Sequence, residues 1–172
     1  LCTASVVLLL ICGVFGHSDS FAFWEKDLAY EGESIYNYLQ VKEDADSVIL
    51  STNVLFGVQS IAKKDGSLTG LYYDYALAAP VMARVTQKDS ASVLVLGMGT
   101  GTFATQCQKY FENLTVEGVE IDQKIVDLAD TYFGLSDAVQ VTTYDGRAYL
   151  NATDARYDVI MVDAYQDITI PF

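Results

Sequence analysis

Three glycines at alternate positions, with an acidic residue about 20 positions further on, are the residues of this sequence best suited to bind a ligand. Gly97, Gly99 and Gly101 follow the apolar run 93–96, and Glu120 lies near the end of a second apolar run, 115–121. Glycine has no Cβ and tolerates positive φ, so a glycine-rich loop can turn tightly and let a ligand lie against the main chain. A carboxylate at the end of the next strand can accept hydrogen bonds from ribose hydroxyls. The pattern therefore predicts a nucleoside-binding site.

The spacing of the glycines indicates the kind of nucleoside. A dinucleotide fingerprint, G-x-G-x-x-G, requires its third glycine at position 102, which is Thr in this sequence. The observed G-x-G-x-G spacing is typical of proteins that bind S-adenosylmethionine or its relatives. A glycine turn that only closes a βα unit is the alternative interpretation, and the acid at position 120 favours a ligand.

A parallel sheet would bring these groups together. The unbroken apolar run 93–96 is typical of a strand that is covered on both faces. Strands are also predicted at 115–121, 138–143 and 157–162, and helices at 103–111, 125–133 and 147–150. Four strands that alternate with helices predict an α/β fold with a Rossmann-like, methyltransferase-type, doubly wound parallel sheet.

Acidic residues follow three of the predicted strands. Glu120, Asp145 and Asp163 each stand at or just past the carboxyl end of a strand, and open α/β sheets bind their ligands at that edge. Asp145 could equally cap the short helix that follows it, whereas Asp163 is harder to explain structurally. Asp122 is predicted to cap the helix 123–133.

The region before the parallel sheet has a different pattern. Residues 34–41, 47–52 and 54–61 are β-like and are separated by polar turns, which predicts a small antiparallel unit at 30–66. A helix is predicted at 71–85, and Pro80 is expected to kink or end it.

The first 16 residues carry no charge and are almost wholly apolar. A membrane span needs about 20 residues, so we interpret 1–24 as the end of a transmembrane helix with a flank in which Phe21, Phe23 and Trp24 form an interfacial belt. A signal-peptide core and a buried helix are the alternatives. The chain does not begin with Met and stops just after a strand-like run, which indicates a fragment whose sheet is truncated.

Composition limits the partners. The net charge of −13 makes nucleic acid an unlikely partner, because its binding depends on neutralising phosphates with Lys and Arg, whereas a cationic amine would suit an acidic protein. Cys2, Cys12 and Cys107 have no metal-ligand spacing, so neither a metal site nor a disulfide framework is expected.

From about residue 31 to 172, the sequence resembles the polyamine aminopropyltransferases, the spermidine synthase family. It is most similar to the branch in which that domain follows membrane helices. The matching segments are Tyr36-Asn37-Tyr38 with the three residues after it, 68–75 with Pro80, the glycine loop, 119–122, 144–147 and 157–163. The resemblance implies a catalytic domain at 68–172 behind the β unit, in an integral membrane protein whose catalytic domain is cytoplasmic and which could form a homodimer.

The resemblance also implies roles for individual residues. Decarboxylated S-adenosylmethionine would be the co-substrate, held by the glycine loop, with Glu120 on the ribose hydroxyls and Asp145-Gly146 at the adenine amino group. Asp163 would accept a proton from the attacking polyamine. Four further residues would contact the amine, namely Gln59, Tyr72, Asp74 and Asp167.

The sequence departs from the family at the places that select substrates. Thr100 stands where the loop usually carries an aspartate for the donor's aminopropyl amine, and Tyr73 replaces a His or Gln. The motif after the last strand, 163–167, is longer than usual by one residue. An S-adenosylmethionine-dependent methyltransferase and a non-catalytic nucleoside-binding module of a membrane protein are therefore the alternative functions.

Overall fold

Two four-stranded sheets form the framework of the chain. A computed structural model describes residues 2–16, 22, 24–53 and 57–164, and for residues 2, 15, 72 and 73 it describes the backbone alone. The antiparallel sheet consists of β1 (Leu28–Glu33), β2 (Tyr38–Glu43), β3 (Ser47–Thr52) and β4 (Ser60–Lys63). The parallel sheet consists of β5 (Ala91–Leu96), β6 (Leu114–Glu120), β7 (Gln140–Thr143) and β8 (Val159–Val162).

The apolar N-terminus forms helix α1, Cys2–Phe15. At about 1.5 Å per residue, its 14 residues extend roughly 21 Å, whereas the hydrocarbon core of a bilayer is about 30 Å thick. Among the residues that the structure describes, no helix is long and apolar enough to cross a membrane. The prediction of an integral membrane protein with a spanning segment was therefore wrong. Phe21 and Phe23 of the expected aromatic belt lie outside the described residues.

The predicted helix 71–85 is divided into three short pieces. A 3-10 helix spans Tyr72–Leu77, α2 spans Ala78–Met82, and a second 3-10 helix spans Val85–Gln87. Pro80 is the third residue of α2, in the first turn, where a missing N–H removes no helical hydrogen bond. Arg84 has a left-handed backbone with φ 57°, which ends the helical path before the second 3-10 helix.

Three longer helices connect the parallel strands and cover both faces of their sheet. Helices α3 (Thr102–Tyr110) and α4 (Gln123–Tyr132) pack on one face, and α5 (Gly146–Ala152) packs on the other. The strand order is β7-β6-β5-β8, so the direction of winding reverses between β5 and β8. This confirms the predicted Rossmann-like parallel sheet and its preceding antiparallel sheet. A reversal of this kind opens a crevice at the carboxyl ends of the two strands.

The antiparallel sheet packs against α4. Its buried face joins three side chains of that region in one apolar cluster, which contains Leu39, Val41, Val48, Leu50 and Ala62 with Ile125, Leu128 and Phe133. Because α4 begins just after β6, this packing places the antiparallel sheet next to the carboxyl end of β6.

Candidate functional site

The glycine loop between β5 and α3 has a backbone that only glycine adopts readily. Gly97, Gly99 and Gly101 have φ values of 75°, 58° and 73°. The N–H groups of Gly97 and Met98 both donate to the carbonyl of Val119, at 2.9 and 3.0 Å, which ties the start of the loop to β6. A Cβ at Gly97 would lie 2.5 Å from the carbonyl oxygen of Asp163, so the loop is in contact with the chain that leaves β8.

Glu120 is the buried acid of the site, with 7% of its surface exposed. One oxygen, Oε2, accepts the N–H of Gly99 at 2.8 Å, and the other, Oε1, accepts the N–H of Asp122 at 3.0 Å. Burial raises the pKa of Glu120, while the N–H groups of Asp122, Gly99 and Ile121 oppose that rise. A carboxylate has about four acceptor positions, so with these three N–H groups bound Glu120 can still accept a hydrogen bond from a ribose hydroxyl.

Asp163 directly follows β8, and its N–H donates to the carbonyl of Leu96 at 2.8 Å. Asp163 is exposed, and its main-chain carbonyl lies close to Gly97. The structure thus brings Asp163, the glycine loop and Glu120 to the same edge of the sheet, at the reversal between β5 and β8.

Asp145 caps α5, because its Oδ1 accepts the N–H of Ala148 at 2.7 Å. It is exposed, and Gly146 is the first residue of the helix. The N–H of the preceding Tyr144 donates to the main-chain carbonyl of Glu120 at 3.0 Å. Asp145 therefore begins α5 beside the acid of the site, and its capping role leaves the second oxygen, Oδ2, available for a ligand.

Of the residues expected to bind the amine, Gln59 lies next in sequence to a residue that approaches the glycine loop. Gln59 precedes β4, and its Oε1 accepts the hydroxyl of Thr52 at 3.4 Å. The next residue, Ser60, lies against the glycine loop, with its Oγ 3.2 Å from the position of a Cβ on Gly99. Sequence analysis did not predict this approach of β4 to the loop.

Asp74 belongs to the 3-10 helix Tyr72–Leu77. Its carboxylate accepts hydrogen bonds from the N–H and hydroxyl of Thr69 and from the N–H of Gly70, at 3.1, 2.9 and 2.7 Å. The carboxylate of Asp74 therefore stabilises the turn that precedes its own 3-10 helix. The side chain of Tyr72 and the whole of Asp167 lie outside the described residues.

Asp122 caps α4 as predicted, since its Oδ1 accepts the N–H of Lys124 at 3.0 Å. Its other oxygen, Oδ2, accepts the hydroxyl of Ser34 at 2.5 Å and the amide of Asn37 at 3.2 Å. These partners are 88 and 85 positions away in the sequence, and no local pattern indicated the contact. It joins the turn between β1 and β2 to the end of β6.

The predicted site residues that can ionise at this edge of the sheet are the carboxylates Glu120, Asp145 and Asp163. Within the described part of the chain, no group of three His, Cys, Asp or Glu residues could hold a metal ion. Cys107 is buried in α3, and burial raises the pKa of its thiol to about 12, which disfavours the reactive thiolate at neutral pH. Thr100 is 1% exposed, and its hydroxyl lies 3.2 Å from that of Thr102. Its side chain is neutral, so it adds no charge to the loop.

Comparison with known proteins identifies relatives of the chain. Residues 74–170 match the family model described as the spermine/spermidine synthase domain. A protein of Bifidobacterium longum named "Probable polyamine aminopropyl transferase" is 59% identical over 171 residues, which are 99% of this chain and 37% of the relative. The "eEF1A lysine and N-terminal methyltransferase" of Xenopus laevis is 38% identical over 79 residues, 42% of this chain and 11% of that protein.

A solved structure shares the fold. The crystal structure of "a probable spermidine synthase" from Corynebacterium glutamicum matches with a TM-score of 0.71 and 20% identity, over 83% of this chain and 54% of that one. The chain thus spans 37% of the Bifidobacterium relative and about half of this structure. These comparisons do not identify a membrane-linked branch. The family model nevertheless covers more than half of the chain, including the glycine loop, Glu120 and Asp163. The chain therefore belongs to the spermine/spermidine synthase family.

Proposed function

We propose that the protein is an aminopropyltransferase, which transfers the aminopropyl group of decarboxylated S-adenosylmethionine to an amine such as putrescine. The observation that carries this proposal is the position of three groups at the reversal of the parallel sheet. The glycine loop, Glu120 and Asp163 meet there, and ligands of open α/β sheets bind at such a point. Family membership and the name of the Bifidobacterium relative support the same activity.

The donor would bind along the carboxyl ends of β5, β6 and β7. The loop 97–101 lies against the nucleoside, and Glu120 accepts hydrogen bonds from the ribose hydroxyls. Asp145, with the main chain at Gly146, receives the adenine amino group through the oxygen that does not cap α5. No positively charged group is needed for this ligand, because the sulfonium itself is the cation.

The reaction is a displacement at carbon. The nitrogen of a neutral amine attacks the propyl carbon next to the sulfonium, a C–N bond forms, and the C–S bond breaks, so that 5′-methylthioadenosine leaves as a neutral thioether. The new ammonium gives its proton to Asp163. A carboxylate suits both tasks, since it holds the cationic substrate and accepts the proton. Gln59, Tyr72, Asp74 and Asp167 would hold the rest of the amine.

A methyltransferase that uses intact S-adenosylmethionine is the second candidate. Two observations favour it: Thr100 supplies no carboxylate for the aminopropyl amine, and the Xenopus methyltransferase matches 42% of the chain. The antiparallel sheet favours aminopropyl transfer, because a methyltransferase does not require that unit. This sheet comes close to the glycine loop at Ser60, the residue after Gln59.

We propose 68–172 as the catalytic domain and 30–66 as the N-terminal β unit, with 1–24 as a separate N-terminal segment. Homodimer formation also stays a prediction, and sedimentation of the full-length protein would check it.

Asp163→Asn tests the proposed mechanism. The amide keeps the shape of the side chain but cannot take the proton, so the turnover rate should fall by about 10²–10⁴-fold while donor affinity stays within a few-fold. Both quantities are measured on the full-length protein, by release of methylthioadenosine and by calorimetry.

Asp158→Asn is the matched control, because Asp158 directly precedes β8 and Asp163 directly follows it. Asp158 pairs with Lys88 and accepts the N–H of Ser92 at the opposite end of β8, so this change should reduce stability and leave turnover per folded molecule unchanged. If Asp163→Asn turns over as fast as the wild type, the proton acceptor is another group.

A further inference from the structure

A chain of hydrogen bonds connects the antiparallel sheet to the glycine loop through two acids. The turn between β1 and β2 donates to Asp122, the N–H of Asp122 donates to Glu120, and Glu120 accepts the N–H of Gly99. Each residue in this chain is buried or half-buried, and Asp122 is 2% exposed. This series of hydrogen bonds therefore passes through the low-dielectric interior, where hydrogen bonds are strong and an unsatisfied polar group is costly.

Capping of α4 uses only one of the two oxygens of the Asp122 carboxylate. The N–H of Lys124 occupies Oδ1, and a serine or asparagine would cap the helix about as well. The other oxygen, Oδ2, accepts from Ser34 and Asn37, both of which belong to the other sheet. An acid suits this position because both side-chain oxygens must accept hydrogen bonds, whereas asparagine offers one accepting oxygen and an NH₂ group.

The donors on the antiparallel sheet are themselves held in place. Ser34 Oγ accepts the N–H groups of Tyr36 and Asn37 at 3.0 and 2.9 Å. Its own hydrogen has two acceptors in reach, and Asp122 Oδ2 at 2.5 Å is much nearer than the carbonyl of Asn37 at 3.4 Å. Asn37 Oδ1 accepts the side-chain amide of Asn53 at 2.6 Å, and Asn53 Oδ1 accepts the N–H of Tyr38 at 2.9 Å. The turn thus presents two fixed donors to the end of β6.

We propose that Asp122 is a positioning residue for ribose recognition: its contact with Ser34 and Asn37 fixes the main-chain N–H that orients the Glu120 carboxylate. Ribose binding on the parallel sheet then depends on docking of the antiparallel sheet, the same sheet whose Ser60 adjoins Gly99. This inference rests on the proposed role of Glu120 in binding the ribose hydroxyls.

The test compares two ligands on each variant of the full-length protein, 5′-methylthioadenosine and its 2′,3′-dideoxy counterpart. We define the ratio as the dissociation constant of the dideoxy ligand divided by that of 5′-methylthioadenosine, both measured by calorimetry. This ratio reports recognition of the ribose hydroxyls alone. Both ligands are titrated into the same preparation, so a loss of folded protein affects both measurements and leaves the ratio unchanged.

Asp122→Asn can keep the helix cap through its one oxygen, and its NH₂ group then faces the two donors, Ser34 and Asn37. It should reduce the ratio by about three- to tenfold, which is within the range of couplings measured inside one hydrogen-bond network. Ser34→Ala removes the contact with Asp122 and also the acceptor for the N–H groups of Tyr36 and Asn37. It should reduce the ratio in the same direction, so it carries the test if Asp122→Asn does not fold.

Ser136→Ala is the matched control, because the Ser136 hydroxyl accepts the N–H of Ala138 in its own turn. Its ratio should equal that of the wild type. A wild-type ratio near one would reject Glu120 as the ribose ligand and would overturn the inference with it. A large wild-type ratio that both Asp122→Asn and Ser34→Ala retain would overturn the inference alone and leave the proposed function intact.

Discussion

Glu120 experiences two opposing effects at the centre of the site. Burial disfavours its ionised form, and the N–H groups of Asp122, Gly99 and Ile121 favour it, with burial the larger effect, so its pKa is raised. An ionised acid in this position costs stability but binds hydroxyls strongly, which is a common compromise between stability and function.

Glu120→Gln tests whether the carboxylate of Glu120 binds the ribose. It removes charge-assisted hydrogen bonds to the ribose, so nucleoside affinity should fall by roughly 1.5–3 kcal/mol, measured by calorimetry. Unchanged affinity in a folded variant would show that Glu120 does not contact the ligand.

The pH dependence of stability provides a second measure of the same variant. With a folded pKa above its ordinary 4.5, Glu120 binds its proton more tightly in the folded state. The wild type therefore loses stability as the pH rises from 4.5 through the folded pKa, and Glu120→Gln lacks this loss. The free energy of unfolding of the variant, relative to the wild type, should increase across that window in denaturant titrations. A difference independent of pH would contradict the raised pKa.

Asp145 has a structural role that is visible and a binding role that is proposed. Asp145→Ser separates them, because serine caps a helix about as well as aspartate but is too short to reach a base. The variant should keep its thermal stability and lose the preference for adenosine over purine riboside, which lacks the amino group. The loss should be about 1.5–3 kcal/mol. A preference equal to that of the wild type would assign Asp145 to the cap alone.

At the scale of elements, the approach of the glycine loop to β8 determines where Asp163 lies. Gly97→Ala would place a Cβ 2.5 Å from the Asp163 carbonyl, in a backbone that already disfavours side chains, with φ 75°. Unfolding should become easier by about 1–2 kcal/mol from the backbone and about 1–3 kcal/mol from the contact, and turnover should fall as Asp163 moves.

Gly134→Ala isolates the backbone contribution. Gly134 has φ 61°, and a Cβ there would meet no atom within 4 Å. The free energy of unfolding of this control should fall by only about 1–2 kcal/mol, the cost of a side chain in a left-handed backbone, and its turnover should not change. Equal losses for the two variants in denaturant unfolding would show that Gly97 has no special contact with β8.

Much of the parallel sheet could be predicted because its signals are local. Apolar runs and helical spacing indicated the strands and helices from β5 to β8, with ends displaced by a few residues. β1 was not predicted, since Leu28–Glu33 contains two glutamates and a glycine and has no fully buried residue. The apolar composition of α1 suggested a membrane span, but the helix that forms is too short for one.

The site divides in the same way. The glycine loop, Glu120 and the capping of α4 by Asp122 follow from motifs that are close in sequence. The contacts of Ser34 and Asn37 with Asp122, and of Ser60 with Gly99, arise from packing of the antiparallel sheet on α4. That packing depends on tertiary structure, so no sequence spacing reveals it.

For the whole molecule, charge and architecture suit one class of substrate. A net charge of −13 attracts cationic amines, and the acids Glu120, Asp145 and Asp163 lie at or just past the carboxyl ends of three strands, at the edge where ligands of such sheets bind. The antiparallel sheet comes close to the glycine loop at Ser60. The central claim is that an amine meets an adenosyl sulfonium at this edge and receives its aminopropyl group.

The most direct test is to identify the products by mass spectrometry. The full-length protein is incubated with decarboxylated S-adenosylmethionine and a panel of diamines, and separately with intact S-adenosylmethionine and the same amines. The account predicts that one diamine gains an aminopropyl group and that one methylthioadenosine is released for each product formed, with no reaction of the intact donor. Methylated acceptors together with S-adenosylhomocysteine, and no aminopropyl product from any amine, would contradict it.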